Sequence, residues 1–265
     1  HEIYNKLKGV GCSTFMFPAY IPDGFQVTET KLHSNANDEN VKFVMLYEDG
    51  TDYLIFQVSH GGDSSFPIYE KDSQSVEIYN QNDIDYYIFT NLASLVSVWS
   101  KDHTEYSVST TLSLPALKEI IDSVFEEVIE QWNGKKLYAL ILTIVCLLAF
   151  VIPSFASEPY ASQQIMSYSI SASSSNNYID VEFDVTGAGR MEKIGCESIY
   201  IYRQSGSRWI LDDSFTENDS GMIASNTVSH SNVISSSCSS ESKYKVVVTI
   251  FAENSAGRDT RTQTK

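Results

Sequence analysis

Basic residues are scarce in this chain, with 18 Lys plus Arg against 34 Asp plus Glu in 265 residues and a formal net charge of −16. So few cations leave no electrostatic footprint for a phosphate backbone, which excludes nucleic acid as a partner. Catalytic motifs are missing as well. No Gly-rich phosphate loop, His-Glu-x-x-His, Cys-x-x-Cys or Gly-x-Ser-x-Gly occurs. Nothing in the sequence therefore calls for a nucleotide, a metal or any other cofactor, and the chain reads as a non-enzyme. The five histidines, His1, His33, His60, His103 and His230, are scattered rather than clustered.

What is present excludes disorder. Hydrophobic residues make up 42%, and 16 Tyr with 13 Phe are too many for a chain that cannot bury a core. The length suggests two domains. Acidity is concentrated in the first of them: residues 1–132 carry 7 Lys and no Arg against 21 Asp plus Glu, whereas residues 133–265 are close to neutral. An acidic surface of that kind attracts cations or basic partners and repels anionic membranes and polymers.

The N-terminal half opens with a linker over 1–16 and an α+β domain over 17–132. Stretches at 25–32, 41–47, 53–59, 75–79, 85–90, 95–100 and 105–112 are rich in Tyr, Phe, Val and Ile and are separated by Asn, Asp, Gly and Ser. They predict the strands of an antiparallel β-meander, with its clearest turn at Asp49-Gly50. One helix follows, capped by Ser113, with Leu117, Ile120, Ile121, Val124, Val128 and Ile129 at the spacing of one buried face. The aromatic residues Tyr47, Tyr53, Tyr87, Trp99 and Tyr106 are candidates to line a ligand groove on the open face of the sheet. His60-Gly61-Gly62-Asp63 is the one cluster that could position a base, which keeps a hydrolase using His60 and Asp63 as a remote alternative.

Between the halves, residues 137–152 form an uncharged apolar run after Lys135 and Lys136 and before Pro153-Ser154-Phe155-Ala156-Ser157. A charged flank, an apolar core and small residues ahead of a cut between Ala156 and Ser157 describe a secretory signal peptide, here over 133–157. Three readings compete. The run is a membrane span, in contact with lipid over 137–156 if uncleaved; or two reading frames are joined and a secreted precursor begins near residue 134; or the run is a buried core helix.

The C-terminal half, 158–265, predicts an all-β sandwich of immunoglobulin or fibronectin-like type. Val181, Phe183 and Val185 alternate with Asp180, Glu182 and Asp184, the same period recurs at 198–202, 209–215 and 243–251, and turn signals lie at Asn176-Asn177 and Gly187-Ala188-Gly189. Asp180, Glu182 and Asp184 lie on one strand face, too widely spaced to share a calcium ion without other loops. Cys196 and Cys238 are the two cysteines of this half. In an oxidising compartment they are a candidate disulfide worth ~3–4 kcal/mol, the alternative being two free thiols.

Two resemblances refine these expectations. Pro18-Ala19-Tyr20-Ile21-Pro22-Asp23-Gly24-Phe25, the strand centred on Trp99, the strand Tyr106-Ser107-Val108-Ser109 and the helix Leu114-Pro115-Ala116-Leu117-Lys118-Glu119-Ile120-Ile121-Asp122-Ser123-Val124 resemble an uncharacterised bacterial domain family over roughly 17–126. Its members often form the extracytoplasmic part of anti-sigma-factor-like membrane proteins in Gram-positive bacteria. Gly189-Arg190-Met191-Glu192-Lys193-Ile194-Gly195 and Ser220-Gly221-Met222-Ile223-Ala224-Ser225-Asn226-Thr227 resemble stretches of small secreted Gram-positive proteins. These likenesses imply a cell-envelope protein, membrane-anchored or secreted, acting as a sensory or interaction module for an envelope protein, peptide or polymer. The alternative they leave open is a structural or adhesive surface protein.

Overall fold

The computed structural model describes residues 7, 9, 12, 14–34, 40–61, 67–72, 75–92, 94–128 and 164–265. They fall into two compact units, His1–Asp63 with Lys71–Tyr160, and Ser64–Glu70 with Ala161–Lys265.

In the first unit the strands β2 (Gln26–Ser34), β3 (Val41–Glu48), β4 (Tyr53–His60), β6 (Glu77–Gln81), β7 (Ile84–Asn91), β8 (Ser94–Lys101) and β9 (Thr104–Thr110) build one antiparallel sheet. Its order is β2-β3-β4-β9-β8-β7-β6. The expected simple meander is therefore two meanders joined edge to edge, because β4 pairs with β9, Phe56 opposite Val108, instead of with the strand that follows it. Asp49 fixes the β3–β4 turn, its Oδ1 accepting from the backbone N–H groups of Thr51 (2.8 Å) and Asp52 (2.7 Å). Two other hairpins turn on Asn82-Asp83 and Asp102-His103, all four residues at positive φ, a conformation that Asn and Asp tolerate better than other non-glycine residues.

One short helix, α1 (Leu114–Asp122), lays Leu117, Ile120 and Ile121 into the core beside Phe56, Trp99, Tyr106 and Val108. Its first turn is not capped as expected: the Ser113 side chain makes no cap hydrogen bond, and its carbonyl accepts from Leu117 N–H (3.0 Å). The helix also ends earlier than the apolar spacing predicts. Ser123 N–H still donates to Glu119 O, its hydroxyl donates to Ile120 O (2.7 Å), and the same oxygen accepts from Tyr20 N–H (2.9 Å). The chain then leaves as β10 (Val124–Val128), paired antiparallel with β1 (Thr14–Pro18). Val124, Phe125 and Val128 are β-branched or aromatic and suit a pleated ribbon better than a further helical turn. The stretch read as a linker thus supplies β1, and Leu7, Cys12, Phe15 and Met16 are buried in the first core.

These findings correct the expected fold class. The described residues are overwhelmingly strand and their longest helix has nine residues, so the α+β label overstates the helical part. Among them no helix is long and apolar enough to cross a membrane. The segment 133–157, with Ala156 and Ser157, lies outside the described residues.

The second unit contains β5 (Ile68–Tyr69), β11 (Ile165–Ser175), β12 (Tyr178–Ser205), β13 (Arg208–Thr216), β14 (Ile223–Ser237), β15 (Tyr244–Asn254) and β16 (Gly257–Thr264). What the sequence presents as two strands and a glycine-rich loop is one strand of 28 residues. The first half of β12 runs between β11 and β14, and the second half between β13 and β15. Its register breaks between Thr186 and Met191, across Gly187 and Gly189, which bends the strand. Ile179, Val181, Phe183 and Val185 from one half and Ile194, Cys196, Ile199 and Ile201 from the other share a single hydrophobic core with Val246, Val248 and Ile250. The long strand thereby contributes to both layers of a β-sandwich, as expected for this half.

Candidate interaction surface

The five aromatic residues proposed from sequence do not form a groove. Tyr47, Trp99 and Tyr106 are fully buried on the face that receives α1, with Trp99 stacked on Tyr106 at 5.5 Å and 11° and 5.0 Å from Tyr86. Burial raises the Tyr47 and Tyr106 phenols and pushes Tyr86 up to about 12, as expected of core side chains rather than a wetted site. Strand alternation places Tyr53 and Tyr87 on the other face: Tyr53 is half-buried with its hydroxyl 2.5 Å from Ser94 Oγ, and Tyr87 is exposed. That face is not open either, since Val44, Leu46, Ile55 and Val96 on it are fully buried.

His60 closes β4 and is drawn into a hydrogen-bonded chain. Its Nδ1 lies 2.7 Å from Thr104 Oγ1, and the same hydroxyl is 3.9 Å from Cys12 Sγ, which donates to Thr14 O at 2.9 Å. Burial raises the Cys12 thiol, so the sulfur stays protonated, and the chain ties β1 to β4 and β9 without presenting a nucleophile. Gly62 and Asp63 lie outside the described residues.

Residues 16–124 match the family described as Domain of unknown function (DUF4367). The matched stretch runs from Met16 in β1 to Val124 at the start of β10 and contains the whole sheet of the first unit together with α1. No curated protein matches the chain.

The acidic strand face of the second unit is engaged in local structure. Asp180 accepts from Ser235 Oγ (2.5 Å), Asp184 is buried, and Glu182 has its carboxyl pKa raised by desolvation and by the neighbouring Asp184. Among the described residues, no group of three or more His, Cys, Asp or Glu side chains is placed to hold a metal ion. Cys196 and Cys238 are separate thiols. Cys196 lies where β12 meets Ile223 and Met222, Cys238 lies beyond the Tyr178 end of the same ladder, and Cys196 Sγ donates to Ser198 O (3.4 Å) and Thr249 O (3.3 Å).

A further surface, with no motif to mark it in the sequence, lies at the outer end of the β12–β13 hairpin. Trp209, Ile210 and Leu211 follow one another on β13 and are 41%, 49% and 50% exposed. Strand alternation would bury one face of such a run, but this part of the hairpin has solvent on both. Lys245 Nζ sits 4.8 Å from the Tyr202 ring centre and 5.2 Å from that of Trp209, a pair of cation–π contacts that orient both rings. Tyr200 extends the patch along β12. Ionic residues frame it, with Arg203 Nε 3.2 Å from Asp212 Oδ1. Among the described strands β13 pairs with β12 alone, so its far edge carries unpaired backbone donors and acceptors beside exposed apolar side chains. Three consecutive apolar residues inside an otherwise alternating strand are the signal that could have identified it.

Proposed function

We propose that this protein is a non-enzymatic interaction module of a Gram-positive cell envelope, and that it holds a protein or peptide partner on the β12–β13 ribbon. The observation that carries the reading is the run Trp209-Ile210-Leu211, exposed on both faces of an edge strand. An edge of this kind takes an extended segment through main-chain hydrogen bonds, while alternate side chains set the specificity. The likeness of residues 17–126 to extracytoplasmic domains of anti-sigma-factor-like proteins supports the envelope as its compartment and a sensory context. A non-enzymatic role is supported by His60, whose ring is bonded to Thr104, and by Cys12, whose thiol burial keeps protonated.

A photo-crosslinking amino acid in place of Trp209, in the full chain expressed in a Gram-positive cell, tests this reading. Irradiation should join the chain to a protein of the envelope fraction, and the same group in place of Thr262 on β16 should not. Equal yields at both positions, or adducts confined to cytosolic proteins, would overturn the proposal.

A further inference from the structure

We infer that the partner held by this ribbon is a second copy of the same chain, joined by antiparallel pairing of β13 with β13 about a two-fold axis through Ile210. The inference rests on the reading of the ribbon as a binding surface and adds the identity of the occupant. The five residues Arg208-Trp209-Ile210-Leu211-Asp212 are complementary to their own reverse: a cation at one end, an anion at the other, three exposed apolar side chains between. Antiparallel pairing centred on Ile210 puts Ile210 opposite itself and Trp209 opposite Leu211 of the second copy, and brings Asp212, the extra residue of a β-bulge between the pairs Leu211–Tyr202 and Asp213–Ile201, within reach of Arg208 of the second copy. The two-fold operation repeats both of the last two pairings. An isologous interface requires this self-complementarity, and aromatic–aliphatic and opposite-charge pairs are the cross-strand contacts that stabilise antiparallel sheets.

The charged ends are available. The guanidinium of Arg208 makes no ion pair or hydrogen bond among the described residues. Asp213 is already used within its own copy, accepting from Ser236 Oγ at 2.5 Å, whereas Asp212 is exposed and holds only Arg203, so its second oxygen can receive Arg208 of the second copy. Lys245 fixes the Trp209 ring before association, which reduces the ordering cost on binding.

Sedimentation velocity of the full chain over a concentration series, with charge-reversed variants, tests the pairing. The wild-type chain should form a dimer. Arg208→Asp and Asp212→Arg should each weaken it on the order of tenfold, because symmetry makes every substitution count twice. The double variant should recover most of the loss. Register is tested separately with Ile210→Cys, which places the two introduced thiols opposite each other across the axis at a Cα separation that a disulfide accepts. Mild oxidation of that variant should give a symmetric peptide dimer, disulfide-linked through the introduced thiols, that wild-type digests lack. A chain monomeric throughout the series, a dimer indifferent to both charge reversals, a double variant no better than the singles, or an Ile210→Cys variant that forms no such link would each overturn the inference. A monomeric chain that still crosslinks through position 209 to another envelope protein would sink the self-pairing and leave the proposed function standing; a monomer without such adducts would sink both.

Discussion

Arg261 on β16 and Glu70, 191 positions earlier in the chain, form a bidentate ion pair, Nε to Oε1 at 2.7 Å and Nη2 to Oε2 at 2.9 Å. The pair anchors a strand that could not hold itself. β5 contributes only Ile68 and Tyr69 to the sheet, opposite Tyr168 and Ser167 of β11, and its pairing continues one residue further through Glu70 N–H donating to Met166 O (3.1 Å). Two ladder residues do not offset the conformational entropy of fixing the segment, so the guanidinium fork supplies much of what keeps β5 in place.

Arg261→Lys should therefore loosen β5 although the charge is kept, because an ammonium cannot reproduce the planar fork. The expected cost is about 1 kcal/mol for a pair that is mostly but not fully buried. Hydrogen exchange at the Glu70 amide reads this directly, with protection falling by roughly fivefold. Unchanged protection would mean that the backbone pairing alone holds the strand.

Trp99 should behave as core and not as a ligand contact. Trp99→Ala removes a ring packed against Tyr106 and Tyr86, and truncation of a buried aromatic of this size costs about 3–5 kcal/mol. Trp99→Phe should cost clearly less. Its indole N–H is buried without a hydrogen-bond partner among the described residues, so removing that donor offsets part of the lost packing. Urea midpoints of the two variants separate these outcomes, and a Trp99→Ala chain of native stability would contradict the packing.

Gly195 lies on β12 at φ +147°, and a Cβ added there would stand 2.3 Å from Met222 O. The neighbour is backbone, held in turn by Cys196 N–H donating to the same carbonyl at 2.8 Å, so it cannot move away without unpairing β14. Gly195→Ala should destabilise the second unit by roughly 3 kcal/mol or more, among the larger effects of a single methyl group. Gly206→Ala is the control: its turn leaves open space around the added carbon, and only the cost of a positive φ remains, about 1 kcal/mol. Thermal melts that rank Gly206→Ala as the more damaging would reverse the argument.

The sequence was legible wherever a local rule decided the structure. Asp49-Gly50 announces its hairpin because the Asp side chain satisfies two backbone donors by itself. Alternation at Val181, Phe183 and Val185 marks one buried face of the sandwich. Long-range pairing was not legible. Val124 and Val128 recur at helical spacing after Leu117, Ile120 and Ile121, and only the partner strand at Thr14–Pro18 decides that they are extended. Gly187 and Gly189 read as a loop because nothing local says that strands on both sides will carry pairing past the bend. The aromatic site failed for a related reason: Trp99 and Tyr106 have the composition of a binding platform, but they lie in the core shared with α1 and β1, with the Phe15 ring 6.2 Å from that of Tyr106. Trp209 has the composition of a core residue and stays exposed.

The two thiols of the second unit should be told apart by chemistry and by pH. Burial pushes the Cys196 thiol from its ordinary 9.0 up to about 12, and its sulfur donates to two carbonyls. Iodoacetamide on the native chain should therefore alkylate Cys238, which is half-buried, and leave Cys196 unmodified until the unit unfolds. A Cys196–Cys238 peptide in a non-reduced digest would refute their separation. The shift also has a sign in stability. The folded unit keeps the Cys196 proton after the unfolded chain has released it, so the native state binds more protons between pH 9.0 and about 12. The contribution is complete below pH 9.0 and is lost progressively as pH rises through that window. Cys196→Ala should flatten the alkaline decline in denaturation midpoint while lowering the midpoint at neutral pH, where the lost sulfur leaves a small cavity in the sandwich core. An alkaline decline as steep in Cys196→Ala as in the parent chain would assign it to other groups.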